Sequence, residues 1–492
     1  MEHTYEEYRS LLRRIADIRN SAALLQWDQE TYLPPKGAAF RGQQVATLTE
    51  AAHSLFIKEE TRELLDALLS GELTDIQRKN VLLTRRDYDK ATKFSPAFVR
   101  KMSETVNRSF HSWIKAKQQS DFSLFRNDLD DIIKLKREEA SIIGYEHHPY
   151  DALMDEFDRG LTVRITDNIF SELKPRLLDL LGKINSRPQV DAGFLQGNFP
   201  KDKQWAFAMK IPGLLHFDME AGRQDLSEHP FSVSFNCRDV RITTRIDESD
   251  FGNMTWSCIH EVGHGLYEQG LPEEEYGLPS GEYCSLSIHE SQSRLWENNV
   301  GRSYDFWKKN FALLTDHFPE FGATGVENFY KGINRVSPSL IRTEADELTY
   351  HFHVMIRYEL EKKLIEGSLE TKDIPAYWNE LYKSYLGVDV PDDRNGCLQD
   401  VHWSHGSFGY FATYSLGSLY AAQFYAAIQR QIPSVISGEG DTLEVLTWLR
   451  QHIHRFGRYH TSEDLCRQAT GEPLRIQYFI DYATEKFSDI YT

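Results

Sequence analysis

The sequence predicts a mainly α fold, a large helical body carrying one small antiparallel β-sheet. Three observations over its 492 residues point there. Apolar residues recur at helical spacing along most of the chain. One stretch, His229 to Asp250, switches to period-two alternation. No repeat period, low-complexity tract or flexible linker divides the chain, so residues 1–492 read as a single domain.

Tyr8, Leu11, Leu12, Ile15, Ile18, Ala22 and Leu25 place the first helix between Tyr5 and Trp27. The segment from Trp27 to Gly37, with Pro34 and Pro35, breaks that pattern as a rigid turn, and a second helix runs from about Gly37 to Leu55. Trp27 and Asp28 read as a corner anchor. Glu59–Leu69, Asp75–Ala91, Pro96–Gln119 and Phe122–Ala140 follow as amphipathic helices with short connections. Gly144 to Asp158 reads as irregular, Val163 to Ser186 as a helix, Arg187 to Asp202 as a loop and Gln204 to Leu215 as helix again.

In the exceptional stretch Phe231, Val233 and Phe235 alternate with Ser232 and Ser234. After a turn, Val240 and Ile242 alternate with Arg241 and Thr243. Such a pair caps the helices or offers an edge to an extended peptide; both readings stay open. Downstream helices are expected at Cys284–Val300, Tyr304–His317, Gly325–Asn334, Thr343–Gly367 and Asp373–Leu386, with amphipathic helix again from Thr442. Gly406 to Gln429 carries no formal charge, yet Ser407, Tyr410, Thr413, Tyr414 and Gln423 make it too polar to face lipid. It reads as a core helix.

A net charge of −18 and a pI near 5.5 disfavour nucleic acid and anionic membranes as partners. The five cysteines are odd in number, widely spaced and free of any C-x-x-C pair, so neither a disulfide framework nor a thiolate metal cluster is indicated. The acidic start lacks the apolar core of a signal peptide. A reducing cytoplasm is expected.

The chemistry concentrates in His260-Glu261-Val262-Gly263-His264. Four residues are just over one helical turn, so both imidazoles project from one face and can share a zinc ion. Glu261 cannot readily reach that ion as well, which makes it the candidate general base. A surface helix with two unrelated histidines is the bland alternative. The apolar flank of Met254, Trp256, Cys258 and Ile259 argues against it, because a buried helix must give such side chains partners. Tyr267 and Gly270 occupy the positions where a metzincin needs Gly and His, so the third ligand is not of that type. Glu268, Glu282, Glu290 and Glu297 compete for the role. Glu290, mid-helix after a loop that reverses the chain, suits it best; Glu297, two turns on, suits a carboxylate that orients a ligand.

His229-Pro230-Phe231, Asp239-Val240-Arg241-Ile242-Thr243, the His260 motif, His289-Glu290-Ser291-Gln292, Ile341-Arg342 through Asp346, and Gly396 through Gln399-Asp400-Val401-His402-Trp403 occur in that order. Together with Trp27-Asp28, Arg41 and Gln44 they resemble the carboxypeptidase Taq family of zinc metallocarboxypeptidases, from about Trp27 to about Tyr425. The resemblance implies a gluzincin-like helical body with a deep groove. It implies a homodimer and release of single residues from peptide C-termini by attack of zinc-activated water. It implies one zinc per chain, with cobalt often accepted, and supports Glu290 as third ligand.

Within that reading Tyr410 is the first candidate to stabilise the oxyanion, with Tyr414 and His402 beside it in sequence; core packing is an equal role for each. Arg241 and Arg342 are the candidates for holding the substrate's C-terminal carboxylate. Their plain alternatives are an exposed strand residue and a helix-terminal ion pair. His229 is read as a contact to substrate backbone or as a turn residue, and His351 and His353 as helix residues rather than ligands. The expected partner is a peptide with a free C-terminus. The alternatives are an oligo-endopeptidase with the same chemistry, or a peptide-binding protein without turnover; a base at Glu261 would have no use in the latter.

Overall fold

The computed structural model describes residues 2–436 and 438–492, and they form two compact units. One comprises Met1–Thr92, Asp191–Ile333 and Tyr420–Leu474; the other comprises Lys93–Val190, Asn334–Leu419 and Arg475–Thr492. Helices dominate both, as expected, and no helix among the described residues is long and apolar enough to cross a membrane.

The first unit opens with helices Glu2–Thr31 and Ala38–Phe56. Their apolar stripes meet in a core of Tyr5, Tyr8, Leu12, Ile15, Ala52 and Phe56, extended by Leu65, Leu68, Val81 and Tyr88 from the next two helices. The first helix does not break at Trp27. It continues through Asp28 to Thr31, whose hydroxyl bonds the Trp27 carbonyl at 2.8 Å, and stops only before Pro34. Trp27 is buried, with the Arg241 guanidinium 4.3 Å from its ring centre.

The sheet has three strands, β1 (Gly222–Leu226), β2 (Ser232–Asn236) and β3 (Asp239–Thr244), in the order β1-β3-β2. β2 and β3 pair antiparallel, with Val233 opposite Arg241, as their alternation predicts. β1 pairs parallel with β3, so the sheet is mixed rather than purely antiparallel. The sequence Gly-Arg-Gln-Asp-Leu of β1 has no β-branched residue and no alternation. It is a strand because the free edge of β3 supplies its partner and because Gln224 and Asp225, both buried, find Cys258 and Arg223.

Val240 and Ile242 of β3 are fully buried against the long helix that follows, Phe251–Gln269. Asp250 caps that helix, its carboxylate accepting from the Gly252 N–H at 2.7 Å. Phe251 seats its first turn among Phe199, Phe207, Phe318 and Phe321, two in tilted and two in edge-to-face contacts.

In the second unit, helix Tyr350–Glu366 is buried on nearly every side. It begins at Tyr350 rather than Thr343 because Asp346 turns the backbone there. Its carboxylate accepts from the N–H groups of Ser337, Leu348 and Thr349 and from the Thr349 hydroxyl, a competitor for the helix. The stretch 144–158 is not wholly irregular, since Pro149–Met154 forms a short helix closed by a capping box between His148 and Asp151. The uncharged run starts its helix only at Ala412, after Gly409 has taken a left-handed conformation (φ +100°).

Candidate metal centre

His260 and His264 project from the less buried face of the mostly buried helix Phe251–Gln269. A second helix, Leu286–Arg294, capped by Ser285, crosses it. Contact is tightest at Gly263, where a β-carbon would stand 2.7 Å from Ser293 Cα and 3.0 Å from the Gln292 carbonyl oxygen. Glycine lets the two backbones touch. The crossing delivers Glu290 to the histidines: its Oε2 lies 3.7 Å from His260 Nε2 and 3.6 Å from His264 Nε2. Those separations are too long for hydrogen bonds. They match two donors on one ion, because tetrahedral zinc with bonds of about 2.0–2.1 Å spaces its ligand atoms roughly 3.3–3.4 Å apart. Among the described residues this is the group of three donors that can hold a metal, its ligand atoms all within 4.8 Å of one another.

The supporting contacts fit the same use. His260 Nδ1 is 2.9 Å from Glu297 Oε2, and His264 Nδ1 is 3.1 Å from the His289 carbonyl oxygen. With the Nδ1 protons donated there, both Nε2 lone pairs face Glu290. Glu297 comes from a π-helical turn, Leu295–Val300, that continues the Glu290 helix. Arg294 bonds Glu290 Oε1 at 2.7 Å and Glu297 at 3.3 Å, and Arg302 stands 3.4 Å from Glu297. Burial alone would raise the Glu297 pKa, but Arg294, His260 and Arg302 overcome it and hold the carboxyl well below the usual range. Burial lowers the pKa of His264, keeping it neutral as a ligand must be. At His260 burial works the same way, but Glu290 and Glu297 outweigh it and the net shift is upward.

Glu261 is buried beside its neighbours. Burial first, and Glu290 next among the groups that raise it, push its pKa up to about 7, while His260, His289 and the Ser232 hydroxyl pull the other way. A dication on the three donors would favour the ionised form. Glu268 does not join the donors; it bonds His289 Nε2 at 2.8 Å. Glu282 pairs with Arg458 at 3.1 Å.

Arg241, on β3, spends its guanidinium fork on Asp239, at 2.9 and 3.0 Å. His229 is exposed on the loop between β1 and β2. The remaining candidates belong to the second unit. There Arg342, buried, bonds Asp400 Oδ1 and the Tyr350 hydroxyl, each at 3.0 Å. Arg357, fully buried, takes Asp400 Oδ2 at 2.6 Å and Gln399 at 2.7 Å. Burial would raise the Asp400 pKa, but the two guanidinium groups hold it far below the ordinary value. His402, Tyr410 and Tyr414 form a half-buried ring cluster: the His402 and Tyr410 centroids are 5.4 Å apart, and His402 Nε2 lies 3.4 Å from the Tyr414 hydroxyl. Burial, the largest influence, brings His402 down to about 4. His351 and His353 are fully buried, bonded to Ser415 and Tyr382. Sequence reasoning missed Arg294 and Arg357. Arg294 could have been found from its i,i+4 spacing to Glu290, and Arg357 as a lone cation on an apolar helix face.

A family model described as Carboxypeptidase Taq (M32) metallopeptidase matches residues 7–487. The chain belongs to that family. Carboxypeptidase 1 of Bacillus subtilis (strain 168) is 36% identical over 496 residues, covering 99% of each chain. The crystal structure of an M32 carboxypeptidase from Deinococcus radiodurans R1 superposes with a TM-score of 0.97 at 36% identity, covering 99% of each chain. A solved structure named CHT superposes with a TM-score of 0.96 at 54% identity, again over 99% of both. The resemblance read from the motifs therefore holds over nearly the full length. Membership of the M32 family makes the chain a peptide hydrolase of metal-dependent type. His260, His264 and Glu290 have the donor chemistry for that metal.

Proposed function

We propose that this M32 protein is a zinc-dependent carboxypeptidase that removes residues from the free C-termini of peptides. In this reading His260, His264 and Glu290 hold the ion, and Glu261 is the general base. One observation carries it: two imidazole Nε2 atoms and one carboxylate oxygen converge at 3.6–3.7 Å, with a buried carboxylate next in sequence to the first histidine. When bound, zinc supplies Lewis acidity that polarises the scissile carbonyl. Glu261 takes a proton from the attacking water and passes it to the leaving amine; burial keeps its carboxylate basic enough for the first step and acidic enough for the second. Tyr410 and His402 donate to the developing oxyanion, a role supported by the place of His402 in the downstream motif and by the half-buried Tyr410 ring packed beside it. Charge balance favours Arg342 over Arg241 for the substrate carboxylate. Arg342 and Arg357 share a single Asp400, leaving one buried positive charge over, whereas Arg241 has Asp239 to itself.

The test is Glu261→Gln, which should retain zinc while kcat/KM falls roughly 10²–10⁴-fold. Unchanged turnover would remove Glu261 from the mechanism. Products should be single residues from a peptide with a free C-terminus and absent when that terminus is amidated. Equal internal cleavage of both would instead identify an endopeptidase.

A further inference from the structure

Glu361 is fully buried in helix Tyr350–Glu366 and lies outside every motif described above. Its Oε1 accepts from the indole N–H of Trp403 at 2.8 Å. Its Oε2 accepts from the backbone N–H of Gly409 at 2.9 Å and from the Tyr150 hydroxyl. Trp403 follows His402 and Gly409 precedes Tyr410, so one carboxylate grips both ends of the loop between the two. Gly409 has a single seat there: φ is +100°, and a β-carbon would stand 2.7 Å from the Leu153 carbonyl. Outside the loop the rings of His402 and Tyr410 meet at 5.4 Å.

We propose that Glu361 is a positioning residue for peptide hydrolysis, setting His402 and Tyr410 by tying together the loop they flank. The inference rests on the reading of His402 and Tyr410 as oxyanion donors. Its chemistry is specific to a carboxylate. All three partners are donors, and only an ionised carboxyl group accepts from all of them; an amide would turn an N–H toward one. Burying a charge among neutral donors is costly, and a loop with no geometric demand could be tied through backbone groups alone. Burial, the largest influence, lifts the Glu361 pKa to about 7, while Gly409, Tyr150, Trp403 and the more distant Lys136 act to lower it. The hydrogen bonds thus oppose the neutralisation that burial favours.

The experiment measures kcat, KM and zinc content per folded molecule of the full chain, using a short peptide with a free C-terminus. Glu361→Gln should lower kcat about 10- to 100-fold, as displacement of a catalytic group by about 1 Å does, with zinc content unchanged and KM within about twofold. Tyr410→Phe and His402→Gln give the reference losses. In the double variants the Glu361→Gln loss should largely disappear, because the group it positions is already gone. A role confined to folding would instead lower the folded fraction and leave kcat per folded molecule intact, or multiply the losses. Trp403→Phe, which removes one tie and keeps an aromatic ring, is the milder variant if Glu361→Gln does not accumulate folded. It should cost about 3- to 10-fold in kcat with the same non-additivity. Normal kcat, or multiplying losses, alongside impaired Tyr410→Phe or His402→Gln overturns this inference alone. If neither reference variant loses kcat, the oxyanion reading fails and this inference with it.

Discussion

Each histidine of the candidate metal centre has one nitrogen committed to a hydrogen-bond acceptor. Glu297 accepts a hydrogen bond from His260 Nδ1–H, and the His289 carbonyl accepts one from His264 Nδ1–H. The backbone acceptor is beyond the reach of a side-chain substitution, but the carboxylate is not. Glu297→Gln should weaken zinc binding about 10- to 100-fold, because the amide orients the ring poorly and withdraws one carboxylate from Arg294 and Arg302. Competition with a chromophoric chelator measures it, and affinity equal to the native protein would remove Glu297 from the site. His402 offers a pH test. Its pKa of about 4 lies below the ordinary 6.5, so the folded protein resists its protonation. Its contribution to stability is complete above pH 6.5 and is lost as pH falls towards 4. The imidazole resonance of His402 should stay flat from pH 8 to about 5; a titration near 6.5 would contradict the burial that lowers it.

Between elements, the decisive event is the crossing of two helices at Gly263. A methyl group there meets backbone, not a yielding side chain, and the overlap costs about 1–3 kcal/mol or forces the helices apart. Gly263→Ala should therefore lower the urea midpoint and weaken zinc binding together, since separation carries Glu290 away from both histidines. Loss of stability with unaltered zinc affinity would show that the crossing relaxes elsewhere. The same scale explains which elements could be read from sequence. Helices with a polar face and an apolar stripe, such as Pro96–Gln119 and Val163–Asn185, keep their predicted bounds within about two residues, because their periodicity is local. β1 was not legible, because a strand without alternation is made by its neighbour. The late start of the Tyr350 helix was not legible either, since Asp346 caps both local and remote N–H groups.

For the whole molecule, metal and fold should be linked. The three candidate donors come from two helices that would otherwise bring half-buried histidines and a buried carboxylate together without an ion between them, so a metal held by all three would favour the folded state. Chelation should lower the thermal midpoint and abolish hydrolysis, and added zinc should restore both; activity persisting in metal-free protein would refute the site. The sequence alone determined the helical class, the β2–β3 hairpin, the shared face of His260 and His264, and the family, because spacing and motif order are properties of the chain itself. It ranked Glu290 above three other glutamates without being able to measure the approach. Tertiary structure decided the rest. Glu290 Oε2 stands 3.6–3.7 Å from both imidazoles because Gly263 admits Ser293, a contact between residues thirty apart. Asp400 joins Arg342 to Arg357, and Glu361 joins Trp403 to Gly409. A buried charge takes its meaning from partners that only folding brings within hydrogen-bond reach, and no local pattern in the sequence records them.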